Sequence, residues 1–277
     1  MKILPYIGVF LAAIVGIVGF FVWRFNARIS QETETLMSNN TVDKQQVEEE
    51  LMKNLPAPVM RWLENSGIMD QEKIHAVHLK QRGLMRLAPD QEQWMEAEAE
   101  QYFTIDRPGF LWRVRTSMAG IPVIGRDLFE NGKGSMEIRL AGTIPVVNVS
   151  NDQKINESTL QRYLGEIVWF PSAALSPYIT WEPVDEHSAK ATMSYGGTTG
   201  SALFHFNDQG ELSRFVAHRY KDINDSEPTE WVATVQETQL INGVRIPTRL
   251  EAAWLLENGP FTWYKFDIFD VVYNSGI

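Results

Sequence analysis

No cysteine occurs in the 277 residues, so disulfides, thiolate metal sites, a cysteine nucleophile and lipidation through sulfur are all excluded. That absence suits either side of a membrane and selects no compartment. Basic charge is also scarce: 25 Lys and Arg stand against 35 Asp and Glu, a formal net charge of −10. Nucleic acid is excluded as a partner, because phosphate binding needs clustered cations. No broad polybasic patch for anionic lipid is visible along the chain either. Of the five histidines the nearest pair is His75 and His78, and in a strand these positions point to opposite faces. With no His-Glu-x-x-His spacing, no metal site is expected. Gly132-Lys133-Gly134-Ser135 is not a phosphate loop, since Asp127 occupies the position of its first glycine; it reads as a hairpin turn. A Gly-x-Ser-x-Gly elbow is missing too. No cofactor is called for, and no catalytic residue is assigned.

What is present is apolar material, 44% hydrophobic and 11% aromatic residues, enough for one large packed domain behind an anchor. Ile3 to Trp23 carries no charge, and as a helix this run rises about 31 Å, one bilayer core. Tyr6 and Trp23 fall where interfacial aromatics belong, and Lys2, Arg24 and Arg28 flank the ends. No small-x-small cleavage site follows, so residues 1–28 read as a retained transmembrane anchor rather than a signal peptide. The expected location is the cytoplasmic (inner) membrane, crossed once, with the domain extracytoplasmic. Charge at the two ends is balanced, so that orientation rests on the resemblance given below. Gly8, Ala12 and Gly16 recur every four residues and offer a small-residue face for weak self-association. Residues 29–50 are polar and acidic and read as a tether that turns helical near Val42.

Residues 51–277 read as one antiparallel, β-rich domain. Leu51 to Ser66 is a helix pair or a helix broken by Pro56 and Pro58, closed at Gly67 by a left-handed cap. Alternation then switches to period two. His75, Val77, Leu79, Gln81, Gly83, Met85 and Leu87 share one strand face, followed by runs at Trp94–Thr104 and Phe110–Met118. Shorter runs come at Pro122–Phe129, Ser135–Leu140 and Thr143–Val149. The interruption is Asn156 to Leu175, expected as a central helix over 157–170. Ser158 and Gln161 fit a capping box, Leu160, Tyr163, Leu164, Ile167 and Val168 form an apolar stripe, and Pro171 ends the helix. Seven further runs follow between Ile179 and Tyr273, with turns at Asp208-Gln209-Gly210 and Asn242-Gly243. The expected fold is α+β but mostly β: a transmembrane helix, then a large curved antiparallel sheet, a half-barrel, packed on the central helix.

Four polar residues fall in phase with apolar neighbours: Gln81, Gln101, Asp127 and Arg219. If those phases face inward, each needs a partner, since a buried unpaired polar group costs about 1–3 kcal/mol. An Asp127–Arg219 ion pair with satisfied glutamines is the structural reading; a polar end to a ligand cavity is the functional one. Arg162, Glu166 and Trp169 form a second stripe on the central helix, and Gly165 between them implies close approach of another backbone. With Trp112, these give the candidate ligand-binding set: Gln81, Gln101, Trp112, Asp127, Arg162, Glu166, Trp169 and Arg219.

Leu55-Pro56, Arg61-Trp62-Leu63, Gln81-x-Gly83-x-Met85, Pro108-Gly109-Phe110-x-Trp112, Asp127 and Gly132 to Met136 make up the first half of a wider pattern. The second half is Arg162-Tyr163-Leu164-Gly165-Glu166, Trp169, Pro171-Ser172-Ala173-Ala174-Leu175, Trp181, Phe215-x-Ala217-x-Arg219-Tyr220 and Gly243-x-x-x-Pro247. This pattern resembles DUF6544, a bacterial family of membrane-anchored proteins of unknown function, with Gly165 standing where alanine is expected. The layout is also similar to the half-barrel of bacterial lipoprotein carriers, whose curved sheet wraps helices around an apolar cavity. The family carries no established activity; the favoured reading is an anchored, noncatalytic protein of the bacterial envelope that binds a lipid or acyl chain, for which nine tryptophans and ten methionines supply an adaptable apolar surface. Two alternatives stay open: an enzyme acting on a small hydrophobic substrate through Asp127, Glu166 and Arg219, and a structural module of an envelope complex.

Overall fold

Residues 4–38 and 46–274 are described by the computed structural model. Six strands come first: β1 (Ala76–Met85), β2 (Met95–Thr104), β3 (Gly109–Met118), β4 (Ile121–Glu130), β5 (Lys133–Leu140) and β6 (Ile144–Ser150). Seven follow: β7 (Ile179–Asp185), β8 (Ser188–Tyr195), β9 (Thr198–Phe206), β10 (Leu212–Arg219), β11 (Thr229–Ile241), β12 (Val244–Leu256) and β13 (Gly259–Tyr273). All thirteen join one sheet in the order β6-β5-β4-β3-β2-β1-β13-β12-β11-β10-β9-β8-β7. Every neighbouring pair is antiparallel. Asn131-Gly132, Ala141-Gly142 and Asn242-Gly243 all sit at positive φ, as tight hairpin turns with the sheet's twist require.

The chain leaves this sheet at one edge, β6, and re-enters at the other, β7. The connecting segment must therefore cross the curl, and it does so as α3 (Gln153–Glu166) followed by short 3₁₀ turns at Ile167–Trp169 and Pro171–Leu175. Leu160, Tyr163, Leu164, Ile167 and Val168 are all buried, so the apolar stripe is the face that meets the sheet. The β4–β5 turn touches the β8–β9 turn, where Thr198 Oγ1 donates to the Gly132 carbonyl at 2.7 Å and Phe129 meets Tyr195. The sheet nearly closes at that point and stays open between β6 and β7.

The start of α3 differs from the expected capping box. Asp152 is the N-cap, its carboxylate accepting from the Lys154 N–H at 2.8 Å. Ser158 and Gln161 lie inside the helix and stitch it to the sheet. Ser158 Oγ accepts from Tyr220 N at 3.0 Å and donates to Tyr220 O at 3.1 Å. Gln161 Nε2 donates to Ser201 O at 3.2 Å and His218 O at 3.0 Å. Asp caps as well as Ser does, and the turn at Asn151, with φ of 58°, delivers the chain to Asp152 first. Gly165 is explained by a side chain, not by a backbone: a Cβ there would lie 2.9 Å from the Phe215 ring, which is itself buried.

The expected tether is the larger correction. α1 runs unbroken from Leu4 to Ser38, ten residues past the anchor boundary at Arg28. Phe25, Ile29 and Leu36 recur at helical spacing and bury against Leu111 and Ile124 on the convex face. Arg126 Nε bonds Glu32 at 2.8 Å, and Arg28 pairs with Glu137. A polar average hid a narrow apolar stripe. Val47, also assigned to the tether, is buried in the main core, while residues 39–45, with the helical onset expected near Val42, lie outside the described residues. α2 (Ala57–Ser66) begins after Pro56 and ends at Gly67 in the left-handed conformation, as expected. Its Trp62 packs on Trp181, Phe204 and Phe206. Among the described residues one helix, the N-terminal one, is long and apolar enough to cross a membrane.

Candidate functional site

Strand alternation places Gln81 (β1), Gln101 (β2), Trp112 (β3) and Asp127 (β4) on the concave face, each in phase with buried apolar residues. α3 brings Arg162 and Glu166 to them, four residues apart and so on one helix face. The result is a continuous chain of hydrogen bonds. Arg162 Nη1 donates to Asp127 Oδ2 at 2.7 Å and its Nε to Glu166 Oε1 at 2.9 Å. Glu166 Oε2 accepts from Gln101 Nε2 at 2.7 Å. Gln101 Oε1 accepts from Gln81 Nε2 at 2.9 Å, and Gln81 Oε1 accepts from Trp112 Nε1 at 3.1 Å and from the Tyr264 hydroxyl at 3.2 Å. The Arg162 guanidinium lies over the rings of Trp112, 4.6 Å from its centroid, and Phe110, at 5.0 Å.

The Asp127–Arg219 pair expected from strand phase does not form. Arg162 is the partner of Asp127, and it binds Glu166 as well, so two carboxylates share one guanidinium. Arg219 instead donates from Nε to the Ser158 carbonyl at 3.1 Å and rests over Trp231, 4.8 Å away, and Trp254, 5.9 Å away. No carboxylate lies within ion-pair distance of it among the described residues. Burial pulls the Arg219 pKa down to about 10, with Arg162 adding to the effect and Asp127 and Glu166 opposing it; it stays charged at neutral pH. Burial pushes the Glu166 carboxyl up against the pull of Arg162 and Gln101. Desolvation acts the other way on Arg162, but its two carboxylates keep its pKa above the ordinary value.

Trp169 does not join this network. Its Nε1 donates to Pro247 O at 3.2 Å and its ring packs on Phe103 and Phe266 in the core. Tyr264, Phe110, Trp231 and Trp254 also belong around the network. Tyr264 shares a strand face with Phe266 and Ile268, so the same phase argument applied to β13 would have found it.

Two polar atoms here are buried without a hydrogen-bond partner, Asp127 Oδ1 and Trp231 Nε1. Arg162 and Glu166 each keep 13% of their side-chain surface exposed, so the network reaches solvent on one side. Beyond it along the concave face lie small residues, Ala97 and Ala99 on β2 and Gly125 on β4, with Val114, Val123, Met85 and Met95. α3 lies against β4, β5, β8, β9 and β10, to one side of this row. Among the described residues no cluster of His, Asp or Glu could hold a metal.

A family of unknown function, DUF6544, matches residues 45–266. Curated proteins give no match to the sequence. Among solved structures, the chain is similar to a LolA-superfamily protein from Nitrosomonas europaea, at 12% identity over 79% of this chain and 94% of that one, with a TM-score of 0.41. It is also similar to a β-barrel-like protein of a domain of unknown function, DUF1849, from Brucella abortus, at 7% identity over 73% of this chain and 99% of that one, with a TM-score of 0.30.

Proposed function

The chain belongs to DUF6544, a family of unknown function, and from that starting point we propose that it is a membrane-anchored binding protein for a lipid or acyl chain. The apolar tail lies along Ala97, Ala99, Val114 and Gly125, and the polar end meets the network around Arg162 and Arg219. One observation carries this reading: along β2, β3 and β4 the concave face changes from large aromatics to small side chains across a polar belt. The strand ends beyond the small residues, Met118 and Ile121 on β3–β4 and Leu140 and Ile144 on β5–β6, form the same end of the sheet. There the Gly142 turn touches α1 at Val22, where the helix leaves the apolar run. In this reading the small-residue end faces the bilayer from which a lipid would enter. Arg219 supplies a cation with no carboxylate within ion-pair distance among the described residues, and Asp127 Oδ1 and Trp231 Nε1, buried without a hydrogen-bond partner there, supply an acceptor and a donor for a ligand's polar atoms.

The anchor runs through residues 3–23 and the domain is extracytoplasmic in this reading. Gly8 and Gly16 face open space, which leaves their face of the helix available for a second anchor. Full-length protein extracted in mild detergent and examined by native mass spectrometry is expected to retain a lipid-sized mass. Ala99→Leu should remove that mass while leaving the fold intact. Retention of the same mass by a folded Ala99→Leu variant, or no adduct on the native protein, would sink the proposal and favour a structural module of an envelope complex. An alkaline phosphatase fusion at the C-terminus is expected to be active; an inactive fusion beside a fluorescent cytoplasmic reporter would reverse the orientation.

A further inference from the structure

On the convex face the fold gathers basic charge that the sequence scatters. Arg24 and Arg28 of α1 and Arg139 of β5 line, with Phe21, Phe25 and Gly142, a cavity of about 260 Å³. Gly142 makes the meeting close: a Cβ there would lie 2.7 Å from the Val22 backbone nitrogen. Both Arg28 and Arg139 stack on the Phe25 ring, with centroid distances of 4.8 and 5.2 Å.

The charges around this cavity do not cancel. Glu137 accepts from both Arg28 and Arg139, and Glu32 accepts from Arg126 while lying 3.8 Å from Arg28. Arg24 has no carboxylate within ion-pair distance among the described residues. Four guanidiniums thus face two carboxylates, a local excess of positive charge in a chain of net −10. Arg24 is also the first charged residue after the uncharged run Ile3–Trp23, and Trp23 beside it is exposed. That is the depth at which lipid headgroups lie. Guanidinium groups match phosphate oxygens in planar, two-pronged hydrogen bonds.

We infer that this cavity is a binding site for the phosphate of an anionic phospholipid in the leaflet beside Trp23. It is separate from the concave face, and it rests on the anchored reading of α1. Bound there, the headgroup bridges the membrane helix and the β5–β6 hairpin and fixes the tilt of the domain on the bilayer.

The test places full-length protein in nanodiscs of equal phosphatidylcholine and phosphatidylglycerol, and counts retained lipids by native mass spectrometry. Arg24→Gln and Arg139→Gln are compared with Arg82→Gln, a control of equal charge change on an exposed arginine of β1. Arg24 makes no ion pair among the described residues, so its variant probes the site without disturbing the fold. The expected result is preferential retention of phosphatidylglycerol, reduced about fivefold by each of the two variants, unchanged in the control and unchanged by millimolar inorganic phosphate. Equal loss in all three variants would overturn the site in favour of diffuse attraction. Displacement by inorganic phosphate would overturn the lipid assignment in favour of a free anion. Failure to enter the discs would defeat the anchor itself, whereas entry without phosphatidylglycerol retention would defeat only this site.

Discussion

Read along β2, the inward residues are Phe103, Gln101, Ala99 and Ala97; along the neighbouring β3 they are Phe110, Trp112 and Val114, and along β4 Phe129, Asp127, Gly125 and Val123. At one end Phe103, Phe110 and Phe129 have no exposed surface, interlocked with Tyr163 and Phe170 from the α3 segment. At the other end Ala97, Ala99, Val114 and Val123 are buried as well, at 1–6% exposure, with smaller side chains, and β13 brings Phe266 and Tyr264 into the same rows. The two ends share strands, register and alternation. They differ in side-chain volume and in whether the crossing helix covers them. Close packing at the aromatic end supplies stability; at the small-residue end the same sheet is lined by smaller side chains. The polar belt sits where large side chains give way to small ones, and its groups are buried enough to need partners.

The comparison is broken most forcefully at the belt. Arg162→Met would leave Asp127 and Glu166 buried without their cation and should cost roughly 3–5 kcal/mol in chemical unfolding. Adding Asp127→Asn and Glu166→Gln should recover much of that loss. By contrast Arg219→Met and Asp127→Asn should couple only weakly, since the two residues do not touch and Asp127 acts on Arg219 through its charge alone; strong coupling between them would contradict the geometry. At the aromatic end Phe103→Ala should cost about 3–5 kcal/mol through the cavity it leaves. Ala99→Leu at the other end should cost less, about 1–3 kcal/mol, and equal large losses at both would erase the distinction between them. On the helix, Gly165→Ala should destabilise by about 1–3 kcal/mol because the new methyl meets the Phe215 ring, despite alanine's better helix propensity. A rise in melting temperature would mean that Phe215 moves freely.

The smallest effect is one of pH. A carboxyl whose pKa rises on folding binds its proton more tightly in the native state. Stability is then greatest on the acid side, and it falls as pH climbs from the ordinary carboxylate range through the native pKa. Glu166 is such a group. Urea midpoints measured at stepwise pH should show this decline in the native protein and a flatter profile in Glu166→Gln. Identical profiles would show that Arg162 and Gln101 cancel the effect of burial.

Local rules went far on this chain. The thirteen strands, their tight turns, the concave phase of Gln81, Gln101 and Asp127, the apolar stripe of α3 and the left-handed cap at Gly67 all follow from period, turn chemistry and propensity acting over a few residues. So does the uncharged run of α1. What the sequence left open was partnership. Strand phase places Asp127 and Arg219 on the same face but does not say which cation crosses from the helix to meet Asp127. That depends on the curl of the sheet, which sets α3 against β4 and β5 and carries Arg162 to a carboxylate 35 positions away. Ser158 and Gln161 carry the pattern of a cap, yet buried backbone groups at Tyr220, Ser201 and His218 claim their side chains. Phe25, Ile29 and Leu36 become a docking stripe only because Leu111 and Ile124 offer an apolar patch on the convex side. Alternation and turns are fixed by sterics within a few residues, whereas the partner of a buried charge is fixed by which long-range approach best offsets its loss of water.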